Sequence, residues 1–137
     1  MPGRVFLDTN ILVYAQDTGA ARKRRKSREI ISRLAASSDG VISTQVLQEF
    51  YVAATRKLGV SPLAAKGVLK TFAVFETVQV SPGLIHEAID CSILNQCSFR
   101  DSLILAAAAA AGCSTVLSED LNASQVILGV KVENPFA

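Results

Sequence analysis

The most informative part of this sequence is the stretch Val5-Phe6-Leu7-Asp8-Thr9-Asn10-Ile11-Leu12-Val13-Tyr14. Three apolar residues precede a carboxylate, two small polar residues follow it, and a second apolar run then begins. This pattern predicts a short buried strand that leads directly into a helix, with Asp8 at the junction. Ligands of open α/β sheets bind outside the carboxyl ends of the strands, which is where Asp8 would lie. Asp8 is also suited to cap the helix, although Thr9 or Asn10 could fill that role instead.

The rest of the chain continues this alternation of short apolar strands and helices. The predicted strands are Arg4–Leu7, Val41–Ser43, Thr77–Val80, Thr115–Leu117 and Val130–Val132. The predicted helices are Asn10–Gln16, Ala20–Ala36, Thr44–Leu58, two that begin at Ser61-Pro62 and Ser81-Pro82, and Phe99–Ala111. Strands separated by helices favour a mostly parallel sheet that is covered on both faces. We therefore expect a single domain over residues 1–137, with a three-layer α/β/α fold and a parallel sheet of about four to five short strands.

The composition is apolar for a chain of this size. Hydrophobic residues occupy 50% of the 137 positions and charged residues only 19%, and the mean hydropathy is +0.33. This excess predicts an apolar surface that is covered by a second copy of the chain or by another protein. The longest apolar run, Leu103–Ala111, has nine residues, whereas a membrane-spanning helix needs ~20. Because an acid follows so soon after the N-terminus, we expect no signal peptide, no membrane contact and a cytoplasmic location.

Several common types of active site lack the residues they need. His86 is the only histidine, which excludes a Ser-His-Asp triad and a zinc-binding His-Glu-x-x-His helix. The cysteines Cys91, Cys97 and Cys113 are odd in number and contain no Cys-x-x-Cys pair. We therefore expect them to be small core residues and not disulfide partners or zinc ligands.

Positive charge is concentrated near the start of the second predicted helix. Of the 14 basic residues, six lie in this basic segment, namely Arg22, Lys23, Arg24, Arg25, Lys26 and Arg28. The remainder of the chain has 8 basic residues against 12 acidic ones. A solvated helix face would explain the segment, but these cations repel one another and the positive end of the helix dipole. A bound polyanion would relieve that repulsion, so we predict that the basic segment contacts nucleic acid.

Acidic residues from different parts of the chain are predicted to meet at one edge of the sheet. They are Asp8 after the first strand, Glu49 in the helix after the second, Asp101 at the start of the alanine-rich helix, and Asp120 after the fourth strand. Each alone has a structural explanation, such as the capping box Ser98-Phe99-Arg100-Asp101. Together they are costly, because two carboxylates ~4 Å apart repel by about 4 kcal/mol at an effective dielectric near 20. A cation would offset the repulsion, and all-oxygen ligands favour Mg²⁺ or Mn²⁺.

The order and local sequence of these acids resemble the PIN-domain ribonucleases, and most closely the VapC-type toxins of bacterial toxin–antitoxin pairs. The matching segments are Phe6–Asn10, Ser43–Phe50, Ser98–Ile104, Leu117–Leu121, Gly129–Val132 and Asn134–Phe136. They run through the whole predicted domain in the order that the family has.

The resemblance implies site residues, a cofactor and partners. The implied catalytic metal ligands are Asp8, Glu49, Asp101 and Asp120, supported by Asn10, Ser118 and Ser43 or Thr44. Asp120 is favoured over Glu119 because the family places its fourth acid two residues after a small hydroxyl residue, here Ser118. Family members use Mg²⁺ or Mn²⁺ to cut RNA and leave 5′-phosphate and 3′-hydroxyl ends. They are usually homodimers that an antitoxin holds inactive, so the expected function is a metal-dependent endoribonuclease of this kind.

Two other functions fit parts of the pattern. A phosphatase or other phosphoryl-transfer domain would use Asp8 as its nucleophile. However, haloacid-dehalogenase-like phosphatases need an Asp where Asn10 stands, and a receiver domain needs an acidic pair before the nucleophile and a Lys after its last strand. A non-catalytic module that binds RNA or protein through the basic segment would leave the acids unexplained.

Overall fold

Strands and helices alternate along residues 3–137, the part of the chain that the computed structural model describes. The strands are β1 (Arg4–Leu7), β2 (Gly40–Ser43), β3 (Glu76–Val78), β4 (Cys113–Leu117), β5 (Val126–Ile127) and β6 (Val130–Glu133). The α-helices are α1 (Thr9–Tyr14), α2 (Ala21–Ser37), α3 (Thr44–Arg56), α4 (Pro62–Thr71), α5 (Pro82–Asn95) and α6 (Phe99–Ala110). A 3₁₀ turn at Phe72–Val74 follows α4.

The strands form one sheet that is parallel except at one edge. Their order is β3-β2-β1-β4-β6-β5, and only β5 runs antiparallel to its neighbour. The chain starts at β1, adds β2 and β3 on one side, and then crosses to β4 on the other side. The direction of winding therefore changes between β1 and β4, which is where open α/β sheets form a ligand crevice.

Helices cover both faces of this sheet, as the right-handed crossovers require. Helix α1 contacts α2 and α3, α3 contacts α4, and α5 packs on α6. Between them the central strands are inaccessible, with Phe6 of β1 and Ile42 of β2 fully buried. On α6, Ala106, Ala107 and Ala108 are also buried, since their small side chains allow a close approach to neighbouring elements. The predicted three-layer α/β/α fold with short parallel strands is confirmed.

Most element bounds lie within three residues of the predicted ones, but strand β5 was missed. It pairs with β6 through Ile127 and Val130, so the loop between them contains only Leu128 and Gly129. Both loop residues have positive φ angles, 56° and 78°, as in the tight turns of two-residue hairpins. A two-residue strand is too short for a recognisable alternation, and Leu at positive φ is not a turn signal.

The structure also shows where the single histidine and the three cysteines lie. His86 is exposed on α5, and all three cysteines are free, with Cys91 and Cys113 buried and Cys97 partly buried. Over residues 3–137, no helix has the length and apolar character needed to cross a membrane.

Candidate active site at the carboxyl ends of β1 and β4

Asp8 lies at the end of β1 and is completely buried. Its Oδ1 accepts a hydrogen bond from the Thr9 backbone N–H at 2.7 Å, and its Oδ2 accepts one from the Ser118 hydroxyl at 2.7 Å. Of the capping residues that the sequence left open, Asp8 is thus the N-cap of α1, and Thr9 and Asn10 lie within the helix. A buried carboxylate is stable only when it is paired and hydrogen-bonded, so Asp8 also needs a positively charged partner.

That partner is Arg100, whose guanidinium stands among three of the predicted acids. It binds Asp8 through two nitrogens, at 2.7 and 3.2 Å, and Glu49 through two, at 2.6 and 3.2 Å. It also donates to Asp101 at 3.1 Å. Burial lowers the pKa of Arg100, but the hydrogen bonds to Asp8 and Glu49 outweigh that effect and raise it above its ordinary value.

Glu49 is held in place by three elements. Thr9 of α1 donates its hydroxyl to Glu49 at 2.7 Å, and Gln45, one turn earlier on α3, donates to it at 3.2 Å. The same Gln45 amide donates to the backbone carbonyl of Arg100, which ties α3 to the start of α6. Burial raises the pKa of Glu49, but the hydrogen bonds from Arg100 and Thr9 outweigh this and hold it below its usual range. Glu49 is therefore an ionised carboxylate at neutral pH.

Asp120 reaches the site from the loop after β4. Asn10 donates to its carboxylate at 3.1 Å and also accepts from the Glu119 backbone N–H. The buried Ser118 hydroxyl accepts from the Asp120 N–H while it donates to Asp8. Asn10 thus links α1 to the loop after β4, and Ser118 links that loop to Asp8. The Asp120 side chain stays exposed at the rim.

Glu119, the acid before Asp120, is paired with the basic segment. Its carboxylate accepts hydrogen bonds from Lys23 of α2 and from the Tyr14 hydroxyl at 2.6 Å. Burial raises the pKa of Glu119, but these two bonds outweigh it and lower the pKa below its ordinary value. The carboxylate of Glu119 is thus paired with Lys23 and Tyr14, whereas that of Asp120 is exposed and accepts from the Asn10 amide. The choice of Asp120 as the fourth site acid stays a prediction.

A groove of about 1060 Å³ lies over these side chains. Glu49, Arg100, Asp101 and Asp120 line it together with Asn10 and Tyr14, and Asp8 lies beneath its floor. Arg56 and Lys57, at the end of α3, also line the groove. These two cations were not among the predicted nucleic-acid contacts.

The basic segment has a partly structural role. Lys23 pairs with Glu119 and lies 4.8 Å from the Tyr14 ring centroid. Arg22 donates to the Phe136 carbonyl at 3.1 Å, and Arg28 donates to the Ala15 carbonyl at 2.8 Å. Through these contacts, α2 is bonded to the residue after α1, to the loop after β4 and to the C-terminal segment. Among the other three members, Arg25 and Lys26 are exposed and Arg24 is half-buried.

Most of the predicted site residues converge, but the hydroxyl groups of Ser43 and Thr44 have other partners. Asp8, Glu49 and Asp101 share Arg100, and Asp120 joins them through Asn10 and Ser118. Ser43 instead caps α3 by accepting a hydrogen bond from the Val46 N–H at 3.3 Å. Thr44 accepts one from the Val80 N–H.

Sequence reasoning missed the roles of Thr9, Gln45 and Arg100. The available signal was the position of Arg100 beside Asp101 in the capping box, because a cation next to a predicted acid cluster is a candidate counter-ion.

The donor set of the site suits a hard divalent cation. Carboxylates from α3, α6 and the ends of β1 and β4 supply oxygen ligands of the type that Mg²⁺ and Mn²⁺ prefer, and three of these carboxylates already hold a cation in the form of Arg100. In this arrangement the described residues include no three acidic, histidine or cysteine side chains that converge on one metal position.

Acidic side chains from four parts of the chain thus meet at the switch point of a doubly wound sheet. This arrangement defines an α/β protein with an acidic crevice site. The sequence matches the PIN domain over residues 5–127, and this chain belongs to the PIN domain family. Comparison with curated proteins gives no sequence match.

Solved structures share the fold. A toxin–antitoxin complex from Klebsiella pneumoniae is similar with a TM-score of 0.73 and 18% identity, over 96% of this chain and 97% of that one. VapBC2 of Rickettsia felis, bound to a fragment of its promoter DNA, has a TM-score of 0.68 and 20% identity over 95% and 97%. VapC20 of Mycobacterium tuberculosis, a toxin that cleaves the sarcin–ricin loop, has a TM-score of 0.65 and 22% identity over 82% and 86%.

Proposed function

We propose that this chain is a metal-dependent endoribonuclease and the toxin of a toxin–antitoxin pair. The observation that carries the proposal is the gathering of Asp8, Glu49, Asp101 and Asp120 around one groove in a PIN domain. The similar Mycobacterium tuberculosis protein cleaves RNA, and the similar Klebsiella and Rickettsia structures are toxin–antitoxin complexes. These likenesses support an RNA substrate and an antitoxin partner.

The four carboxylates would hold Mg²⁺ or Mn²⁺. Such an ion supplies activation of water and stabilises the charge that develops on a phosphodiester during hydrolysis. The chain's own residues prepare this site: Ser118 orients Asp8 from β4, Asn10 orients Asp120, and Thr9 orients Glu49 from α1. Because each of these supports comes from a different part of the chain, the fold positions the carboxylate oxygens before a metal ion binds.

We propose that a single strand of RNA binds in this groove. Arg56 and Lys57 lie along it with the acids, so a phosphate backbone in the groove would meet cations next to the hydrolytic site. The exposed cations Arg25 and Lys26 of α2 offer a further contact outside the groove. We propose that both sets bind the RNA backbone.

The burial of Asp8 disfavours a phosphatase that uses this residue as a nucleophile. Asp8 has no exposed surface, and both of its oxygens already accept hydrogen bonds, from Thr9, Ser118 and Arg100. A nucleophile must reach the phosphorus atom of its substrate. A ligand or orienting role suits Asp8 better.

Cleavage of labelled RNA with Mg²⁺ or Mn²⁺ tests the proposal. We expect Asp8→Asn and Asp120→Asn each to reduce cleavage by at least about 100-fold, because each removes a charged ligand whose contribution is several kcal/mol. Asp120 is exposed, so its variant should fold normally even if loss of the buried charge disturbs the Asp8 variant. Asp90→Asn, an exposed substitution on α5, is the matched control and should cleave like the unaltered chain.

Two results would contradict the proposal. One is equal cleavage by the unaltered chain and both site variants, and the other is no cleavage of any of several RNAs. Expression in bacteria extends the test to the toxin role, since arrest of growth should require the same two aspartates.

A further inference from the structure

Arg100 occupies the centre of the acid cluster. Its three guanidinium nitrogens donate to Asp8, Glu49 and Asp101 at distances from 2.6 to 3.2 Å, and one also approaches the Thr9 hydroxyl at 3.4 Å. Sequence reasoning required a cation to offset the repulsion between these acids, and in the structure an arginine meets that requirement.

A guanidinium and a metal ion cannot occupy this position together. Mg²⁺ binds oxygen at ~2.0–2.1 Å, so it would need the same oxygens of Asp8 and Glu49 that now accept from Arg100. A divalent ion at that distance from the oxygens would also repel the guanidinium at close range and in a partly buried setting. One cation must leave before the other is fully bound.

Arg100 has a route out of the cluster. Its side chain is 33% exposed and lines the open groove, whereas Asp8 beneath it has no exposed surface. The backbone of Arg100 stays anchored, because Gln45 donates to its carbonyl oxygen. The side chain can therefore rotate into the groove while α6 remains in place.

We propose that Arg100 is a built-in counter-ion that closes the metal site, so that metal binding requires its displacement. This inference rests on the proposed nuclease function. It adds that the chain holds its own site in a metal-free, charge-paired state, and that the identity of residue 100 sets the metal affinity.

Titration with Mn²⁺ alone, followed by calorimetry, tests the proposal. The variant Arg100→Gln removes the charge and keeps a shorter, neutral hydrogen-bond donor. We expect it to bind Mn²⁺ at least tenfold more tightly than the unaltered chain. Arg100→Lys keeps a cation but loses the planar fork, and we expect its affinity to fall between the two.

Thermal unfolding gives a second readout. Without metal, Arg100→Gln should melt at a lower temperature than the unaltered chain, since the acids then lack their counter-ion. Saturating Mn²⁺ should raise its Tm by more than it raises that of the unaltered chain, because tighter binding stabilises the folded state more. Arg56→Gln removes the same charge from the same groove without touching the acids, so its Mn²⁺ affinity should stay within about twofold of the unaltered chain's.

The outcomes separate this proposal from the proposed function. If Arg100→Gln, Arg100→Lys and the unaltered chain bind Mn²⁺ equally, while Asp8→Asn abolishes binding, the metal site stands and the role of Arg100 is refuted. If none of the folded proteins binds Mn²⁺, the metal site itself is refuted and the inference falls with it. If Arg56→Gln gained as much affinity for Mn²⁺ as Arg100→Gln, the gain would reflect only the loss of positive charge from the groove. The specific role of Arg100 would then be refuted.

Discussion

At the scale of single residues, Asp8 shows how burial raises the demands on a charged group. A fully buried carboxylate requires partners for both oxygens, and Asp8 receives them from the Thr9 backbone, the Ser118 hydroxyl and Arg100. The same residue therefore caps a helix, links two strands and fixes the position of a guanidinium. The capping interpretation and the active-site interpretation of Asp8 are compatible, because each of its oxygens accepts more than one hydrogen bond.

Gly40 is a second residue whose identity follows from its surroundings. A Cβ at this position, the start of β2, would lie 2.5 Å from the Phe75 ring and 3.2 Å from Leu34, and both neighbours are buried. We expect Gly40→Ala to lower the free energy of unfolding by about 1–3 kcal/mol through overpacking, measured by urea denaturation.

Gly67→Ala is the matched control for that substitution. Gly67 lies inside α4 with open space around its Cα, so alanine there should raise the free energy of unfolding by up to about 1 kcal/mol through helix propensity. Equal effects of the two alanines would contradict the packing account of Gly40.

At the scale of elements, helix α2 carries the basic segment and connects it to the loop that bears the site residue Asp120. Lys23 reaches Glu119 in the loop after β4 and lies near the rings of Tyr14 and Phe136. Its charge is used inside the molecule, as is the hydrogen-bonding capacity of Arg22 and Arg28. The repulsion among the six cations is thus partly relieved by protein oxygens, which a sequence-based count of charges does not reveal.

The exposed part of the basic segment is predicted to bind RNA phosphates. Replacing Arg25 and Lys26 by Gln should flatten the plot of log affinity against log salt by about 1.4, since each phosphate contact to a single strand contributes ~0.7 to the slope. Filter binding in an Asp8→Asn background avoids cleavage during the measurement.

Lys66 and Lys70 provide the control for this prediction. Both are exposed on α4, outside the groove, so their double replacement by Gln should leave the salt slope unchanged. An unchanged slope for the α2 variant as well would limit phosphate contact to the groove residues Arg56 and Lys57.

At the scale of the whole molecule, the apolar excess of the composition appears partly on the surface. On α5, Ile85, Ile89 and Ile93 are 36%, 41% and 71% exposed at helical spacing, and they form one apolar stripe. A stripe of this kind is typical of a surface that another protein covers, and the homodimer implied by the family resemblance would supply a second copy.

We expect light scattering at high concentration to give twice the chain mass of 14.5 kDa. Charges placed on the stripe by Ile89→Asp and Ile93→Asp should shift the mass toward that of one chain, because an unpaired charge is costly in an apolar interface. A strictly monomeric mass for the unaltered chain, or a dimer unaffected by both substitutions, would contradict this assignment.

The sequence by itself determined the fold class and indicated which acidic residues would lie at one edge of the sheet. Apolar runs that alternate with capped helices leave few arrangements other than a parallel sheet with helices on both faces, and residues after parallel strands must meet at one edge. For this reason the sequence alone predicted that Asp8, Glu49, Asp101 and Asp120 would gather at one edge of the sheet. The hairpin of β5 and β6 was not, because two residues carry no periodicity.

Only the tertiary structure decided which charges pair. The partners of Arg100 lie 51 and 92 positions away from it for Glu49 and Asp8, and the partner of Glu119 lies 96 positions away. Such pairs depend on the distance between side chains after folding, which local sequence patterns do not encode. The cation at the centre of the acid cluster could therefore be inferred from charge alone, but its identity as Arg100 required the packed α6 helix.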